Sequence, residues 1–217
     1  MSDLITVTGM VLASSPVGEY DKRLVILTAE RGKIAAFAKG ARRPKSPLMA
    51  GSRLFAFGTM ELYEGRTSYN VKSMQPRRLF DELAADIEAV CYGTYFCEFA
   101  DYYGREGIDG RELINLLYAA LLALGHPDRD RALLRAAFEL RAMASQGEYS
   151  ETPFAACGES ASYAWSYVLG APLSKVFAFR LSDPAAREFI TAVEALKKYY
   201  IDRNFQSLEV LNSLQTL

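Results

Sequence analysis

Up to about residue 78 this chain is built from short apolar runs broken by turn residues, a pattern that few folds can accommodate. The runs cover 5–12, 24–28, 34–38, 54–63 and 69–74. Between them stand Ser15-Pro16-Val17-Gly18, Glu30-Arg31-Gly32-Lys33 and Glu64-Gly65-Arg66, the last reading as a hairpin turn. Five or six strands this short cannot cover both faces of an open sheet. Closing the sheet on itself removes most of the exposed edge. The spacing predicts a small OB-like or SH3-like β-barrel over residues 1–78.

From residue 79 onward the apolar period changes from that of strands to that of helices. Leu113, Leu116, Leu117, Ala120, Leu121 and Leu124 make one helical stripe, ended by Gly125-His126-Pro127. Leu133, Leu134, Ala137, Phe138 and Arg141 begin another that ends near Gly147, and Ile87, Val90, Cys91, Thr94 and Tyr95 mark an earlier one. A further helix starts after Ser182, with Pro184 in its first turn, and runs to about Tyr200. A short one over 205–214 closes the series. The expected class is α+β: a barrel, a boundary near Gln75-Pro76, and an all-α domain over 79–217.

Charge is distributed unevenly along the chain. The whole chain has a formal charge of −1, yet residues 31–53 carry seven basic side chains and no acidic one. Residues 81–112 then carry nine acids against Arg105 and Arg111. A loop over 39–47, rich in glycine and proline, concentrates Lys39, Arg42, Arg43 and Lys45. Such cations neutralise phosphates without reading sequence. Gly40 lets backbone come close, and the Ser46 hydroxyl can donate to a phosphate oxygen. Lys22 and Arg23, expected on the earlier turn, extend the basic surface. Tyr20, Phe37, Phe55, Phe57, Tyr63 and Tyr69 are the aromatic residues available for base stacking, and most must be barrel core.

Catalytic and metal chemistry find no foothold. His126 is the single histidine and sits in a helix-ending turn with no readable partner. Cys91, Cys97 and Cys157 are scattered, an odd set that fits reduced thiols rather than a disulfide framework. Asp81, Glu82, Asp86 and Glu88 imitate a carboxylate cluster, but at the start of a helix acids meet the positive end of the dipole. No phosphate-binding loop or dinucleotide fingerprint occurs. No apolar run approaches the ~20 residues that cross a bilayer, and the opening residues do not read as a signal peptide. The expectation is a cytoplasmic, nucleoid-associated protein that needs no cofactor.

Taken together, Gly18-Glu19-Tyr20-Asp21, Leu27-Thr28, Arg31-Gly32-Lys33 and Ala38-Lys39-Gly40-Ala41-Arg42-Arg43-Pro44-Lys45-Ser46 resemble the N-terminal signature of the RecO family of bacterial recombination mediators. The likeness continues through residues 95–98, Glu106, the leucine helix, Phe138-Glu139-Leu140, Gly147 with Tyr149, and Gln206-Ser207-Leu208. It implies an OB domain and a helical domain, binding to single- and double-stranded DNA, and annealing of complementary strands. It also implies work with RecR to help RecA replace the single-strand-binding protein SSB, and contact with the SSB tail. It implies no bond-breaking activity. Many family members carry a four-cysteine zinc module, and here the equivalent region, about 150–182, keeps only Cys157-Gly158, with Phe154 where a first cysteine would stand. That region is expected to be metal-free and held by Phe154, Tyr163, Trp165, Tyr167, Phe177 and Phe179.

An SSB tail is acidic and ends in an apolar residue, so its receptor should be an apolar groove with a basic rim. Arg129, Arg131, Arg135 and Arg141 lie near apolar helical faces and are the candidates. Two other readings share parts of the pattern: an RNA-binding OB-fold scaffold, and a metal-dependent nuclease using the acids at 81–88.

Overall fold

The computed structural model describes residues 3–214, in two compact units. One runs to Ala85 and takes in Ala100–Ile114; the other comprises Asp86–Phe99 and the chain from Asn115 on.

The first unit is the barrel. Its strands are β1 (Leu4–Val17), β2 (Asp21–Thr28), β3 (Gly32–Ala38), β4 (Phe57–Glu64) and β5 (Tyr69–Arg78). They close in the order β1-β2-β3-β5-β4, antiparallel except where β3 meets β5. β1 pairs with both β2 and β4, and a bulge between Val11 and Ala13 bends it enough to serve both. Inward positions alternate along each strand: Leu24 and Ile26 on β2, Ile34, Ala36 and Ala38 on β3, Met60 and Leu62 on β4. Leu48, from the loop after β3, joins this core.

β1 runs through Ser15-Pro16, where the sequence predicts a turn. Its pairing with β4 ends at Met10, so Pro16 sits on a stretch with one free edge, where a missing N–H is harmless. The turn falls instead on Gly18, at φ +57. Gly32 opens β3 at φ +64, and a side chain there would meet the Arg105 carbonyl oxygen at 2.0 Å. Only glycine lets residues 105–108 lie this close. The Gly107 and Gly110 amides then donate to the carbonyls of Arg31 (3.0 Å) and Ala29 (3.2 Å).

The helices are α1 (Ile87–Tyr103), α2 (Arg111–Leu124), α3 (Arg131–Ser145), α4 (Glu159–Gly170), α5 (Asp183–Tyr200) and α6 (Gln206–Leu214), preceded by a 3₁₀ turn at Asp81–Ala85. Asp81 and Glu82 therefore lie in that turn, whereas the acids were expected in the first turns of one helix. Asp86 caps α1, accepting from the Ala89 amide at 3.0 Å. α4 has no counterpart among the expected helices. Within the second unit, Phe96 stacks on Phe138 at 4.3 Å and Phe99 on Phe205 at 5.3 Å.

The region around Cys157 is packed by aromatic residues. Trp165 is fully buried, lies edge-on to Phe189, and donates its indole N–H to the Ser150 carbonyl at 2.8 Å. Phe179 packs against both Tyr167 and Phe189, and the Gly158 amide donates to Glu188 at 2.8 Å.

Two ionic groups tie the helices together. Arg131 pairs with Asp86 and, at 2.6 Å, with Glu88. The guanidinium, with the Ala89 amide, holds the Asp86 carboxyl below its ordinary range. The folded chain therefore binds that proton less readily than the unfolded one. The resulting stabilisation is complete above the ordinary carboxylate value and lost as pH falls through the lowered one. Wild type should exceed Asp86→Asn in thermal midpoint at neutral pH, with the gap closing as the pH is lowered towards 3. A gap independent of pH would show that the ion pair is not its source.

The second group is buried. Glu139 is fully inaccessible and accepts from Lys197 Nζ at 2.7 Å and from the Tyr95 hydroxyl, with Arg135 at 3.9 Å. Burial first, and then Glu139 beside it, push the Tyr95 phenol well above its usual range, so it stays a donor.

Candidate nucleic-acid interface

The segment between β3 and β4, residues 39–56, forms no regular helix or strand; it is a chain of tight turns. Its shape is set by hydrogen bonds to the turn between β1 and β2. The Gly40 amide, at φ +68, donates to the Asp21 carboxylate at 2.7 Å. The Arg42 amide donates to the Tyr20 carbonyl at 2.9 Å, and its guanidinium reaches the carbonyls of Glu19 (3.2 Å) and Gly18 (3.4 Å). Arg42 is thus both an exposed cation and a brace between two loops. Ser46 turns its hydroxyl to the Leu48 amide, at 3.3 Å.

Ion pairing divides the seven basic residues of the 31–53 segment. Arg31 faces Glu64 at 3.7 Å, Lys33 faces Asp101 at 3.1 Å and Arg53 faces Asp81 at 2.7 Å. Lys39, Arg42, Arg43 and Lys45 are exposed and have no acidic partner among the described residues. Lys45 also holds a left-handed backbone, at φ 62, that a lysine seldom adopts. Like charges gather rather than disperse here. Lys22 donates to the Ser52 carbonyl at 3.1 Å, and burial, then the nearby Arg42 and Arg53, lower its pKa. A cluster that keeps cations together against their repulsion is suited to a polyanion.

Of the expected basic residues, Lys22 joins this cluster and Arg23 does not. Both lie on β2, where neighbours alternate, so Lys22 shares the inward side with Leu24 while Arg23 is on the outer face. Arg43 places its guanidinium 5.2 Å from the centroid of the Tyr20 ring. Arg53 was within the basic segment but not among the expected contacts; its proximity to Lys22 depends on the fold of the loop.

In the helical unit the four candidate arginines all have intramolecular partners. Arg129 donates to the Phe177 carbonyl, Arg131 pairs with Asp86 and Glu88, Arg135 with Glu194 at 2.9 Å, and Arg141 donates to the carbonyls of Val168 (3.2 Å) and Leu169 at the end of α4. A groove of about 230 Å³ opens beside the start of α3. Leu133, Leu134, Phe177 and Phe179 line it, with Arg129 and Arg180 among its polar walls.

The acids at 81–88 each face a cation: Asp81 meets Arg53, Glu82 meets Arg78, and Asp86 and Glu88 share Arg131. Among the described residues no three His, Cys, Asp or Glu side chains are grouped to hold a metal, and no helix is long and apolar enough to cross a membrane.

The chain is similar in sequence to known proteins. The family profile for the N-terminal part of recombination protein O matches residues 1–80, and that for its C-terminal part matches residues 84–162. The DNA repair protein RecO of Alkaliphilus metalliredigens is 35% identical over 165 residues, which cover 76% of this chain and 67% of that one. The DNA repair protein RecO of Acetivibrio thermocellus is 24% identical over 243 residues, covering 97% of both. That of Symbiobacterium thermophilum is 34% identical over 144 residues, 66% of this chain and 57% of its own. With a five-stranded barrel followed by helices, and with both halves matched in order, the chain belongs to the RecO family of DNA repair and recombination proteins.

Proposed function

We propose that this protein is a recombination mediator that holds single- and double-stranded DNA by the phosphate backbone and anneals complementary strands. The observation that carries this reading is the division among the basic residues: three of the seven are matched to acids, whereas Lys39, Arg42, Arg43 and Lys45 are exposed and have no acidic partner among the described residues. Lys39, Arg43 and Lys45 are the phosphate contacts; Arg42 adds its charge while bracing the loop. Lys22 strengthens the field from behind, and Arg23 lengthens the track along the outer face of β2. Annealing follows from neutralisation, because two shielded strands repel each other less and base pairing supplies the specificity.

In this reading the barrel up to residue 78 serves DNA and the helical part from 79 serves partners. The protein acts with RecR so that RecA can displace SSB. The groove beside α3 receives the SSB tail: Leu133, Leu134 and Phe179 suit its apolar end, and Arg129 and Arg180 suit its acids. The 150–182 segment supports that groove by aromatic packing, without a metal.

Annealing of complementary labelled oligonucleotides tests this, with strands bare, coated with intact SSB, or coated with SSB lacking its tail. We expect faster annealing of bare strands and of strands under intact SSB, and a loss of the second effect without the tail. No acceleration of bare strands would refute the mediator reading. Equal annealing under both forms of SSB would remove the tail from the groove. Cleavage on adding magnesium, or stronger binding to RNA of equal length, would favour the nuclease or RNA readings.

A further inference from the structure

We propose that Tyr20 is a base-stacking platform and that it, rather than the surrounding cations, gives this surface a preference for single strands over duplex. The inference rests on the DNA-binding reading above and names the part of the nucleic acid that one side chain takes.

Exposure separates the six barrel aromatics. Phe55 and Tyr69 are buried, and Tyr69 also donates its hydroxyl to Glu106 at 3.2 Å. Phe37 and Phe57 are half-buried on β3 and β4. Tyr63 is exposed but lies next to Glu64, opposite Leu4, away from the unpaired cations in the strand register. Tyr20 is 40% exposed, in the three-residue turn between β1 and β2 that the basic loop grips.

Its backbone is held and its ring is not buried. The Tyr20 carbonyl accepts from the Arg42 amide at 2.9 Å, and the flanking carbonyls of Gly18 and Glu19 take the Arg42 guanidinium. Arg43 lies over the ring at 5.2 Å from its centroid, an arrangement that orients the ring in a residue that remains exposed. Aromatic faces beside backbone-binding cations bind unpaired bases, because every base has a π-face. In a duplex those faces are already stacked on their neighbours. The cations attract both forms of DNA, whereas a stacking ring rewards only the single strand.

Fluorescence anisotropy of a labelled single strand and of a duplex of equal length, across a salt series, tests this with Tyr20→Ala, Tyr20→Phe and Tyr20→Trp. Tyr20→Ala should weaken single-strand binding about tenfold, about 1.4 kcal/mol, and duplex binding less than about twofold, with the salt slope unchanged for both. Tyr20→Phe should bind as wild type. In Tyr20→Trp the new indole should be quenched by single strands; the one native tryptophan, Trp165, is fully buried in the helical unit. Unfolding midpoints matching wild type would establish that the variants are intact, and Tyr20→Phe and Tyr20→Trp carry the test if the alanine variant is not. Equal losses on both DNAs, a flatter slope, or an unquenched indole at saturating DNA would each overturn the proposal. Failure of the wild type to bind either DNA would instead remove the reading on which it rests.

Discussion

Replacing Lys39, Arg43 and Lys45 together by glutamate is expected to weaken single-strand binding about 100-fold at 0.1 M salt. Each phosphate contact contributes a slope of about 0.7 in log affinity against log salt for a single strand. Loss of three should flatten that slope by about 2, and the difference in affinity should shrink as salt rises. These three are chosen because they have no acidic partner among the described residues, whereas the Arg42 guanidinium also donates to the turn between β1 and β2. Arg42→Glu alone should therefore weaken binding and also lower the unfolding midpoint. Anisotropy titrations at several salt concentrations, with thermal melts of each variant, measure both effects. An unchanged slope in the triple variant would place the DNA contact elsewhere on the protein.

Glu139→Ala should cause the largest loss of stability, about 3–5 kcal/mol, because it leaves Lys197 without its buried counter-charge, while Arg135 keeps only Glu194 among the described residues. For a chain of this size that corresponds to a fall in midpoint of roughly 10 °C. Glu139 joins α3 to α1 through Tyr95 and to α5 through Lys197. Its other oxygen, Oε2, and Arg135 Nε have no hydrogen-bond partner among the described residues. Removing the charges on both sides should cost less than removing one: Glu139→Leu combined with Lys197→Met should recover part of the loss. Urea unfolding followed through Trp165, the only tryptophan, reports on the unit that contains the network. A cost below about 1 kcal/mol for Glu139→Ala would mean that water replaces the carboxylate on removal.

The readable parts of the fold are those in which one residue's environment depends on its near neighbours. Short apolar runs over 24–28 and 34–38, bounded by turn residues, mark β2 and β3, because a brief apolar stretch between turn signals has the length of a strand. The leucines from 113 to 124 mark α2, and Pro184 with Ser182 marks the start of α5. α4 was missed although Ala161, Ala164, Trp165 and Val168 follow helical spacing. Two alanines make a weak apolar stripe, and Gly158 at its start offers no capping side chain. Pro16 misled in the other direction: it looks like a turn until the pairing of β1 shows that its edge is free.

The α+β class, the order of barrel and helices, the family signature and the stretch where cations concentrate are all legible along the chain. All of these depend on period, turn chemistry or composition along a short length of chain. Tertiary structure decided which of those cations remain without acidic partners, because Glu64, Asp101 and Asp81, which match Arg31, Lys33 and Arg53, come from distant parts of the chain. It also set Lys22 and Arg23 on opposite faces of β2, turned Arg42 into a brace, and put Arg43 over Tyr20. Charge can be counted residue by residue, but whether a charge is neutralised depends on what lies within a few ångströms, and that is fixed only when the chain closes.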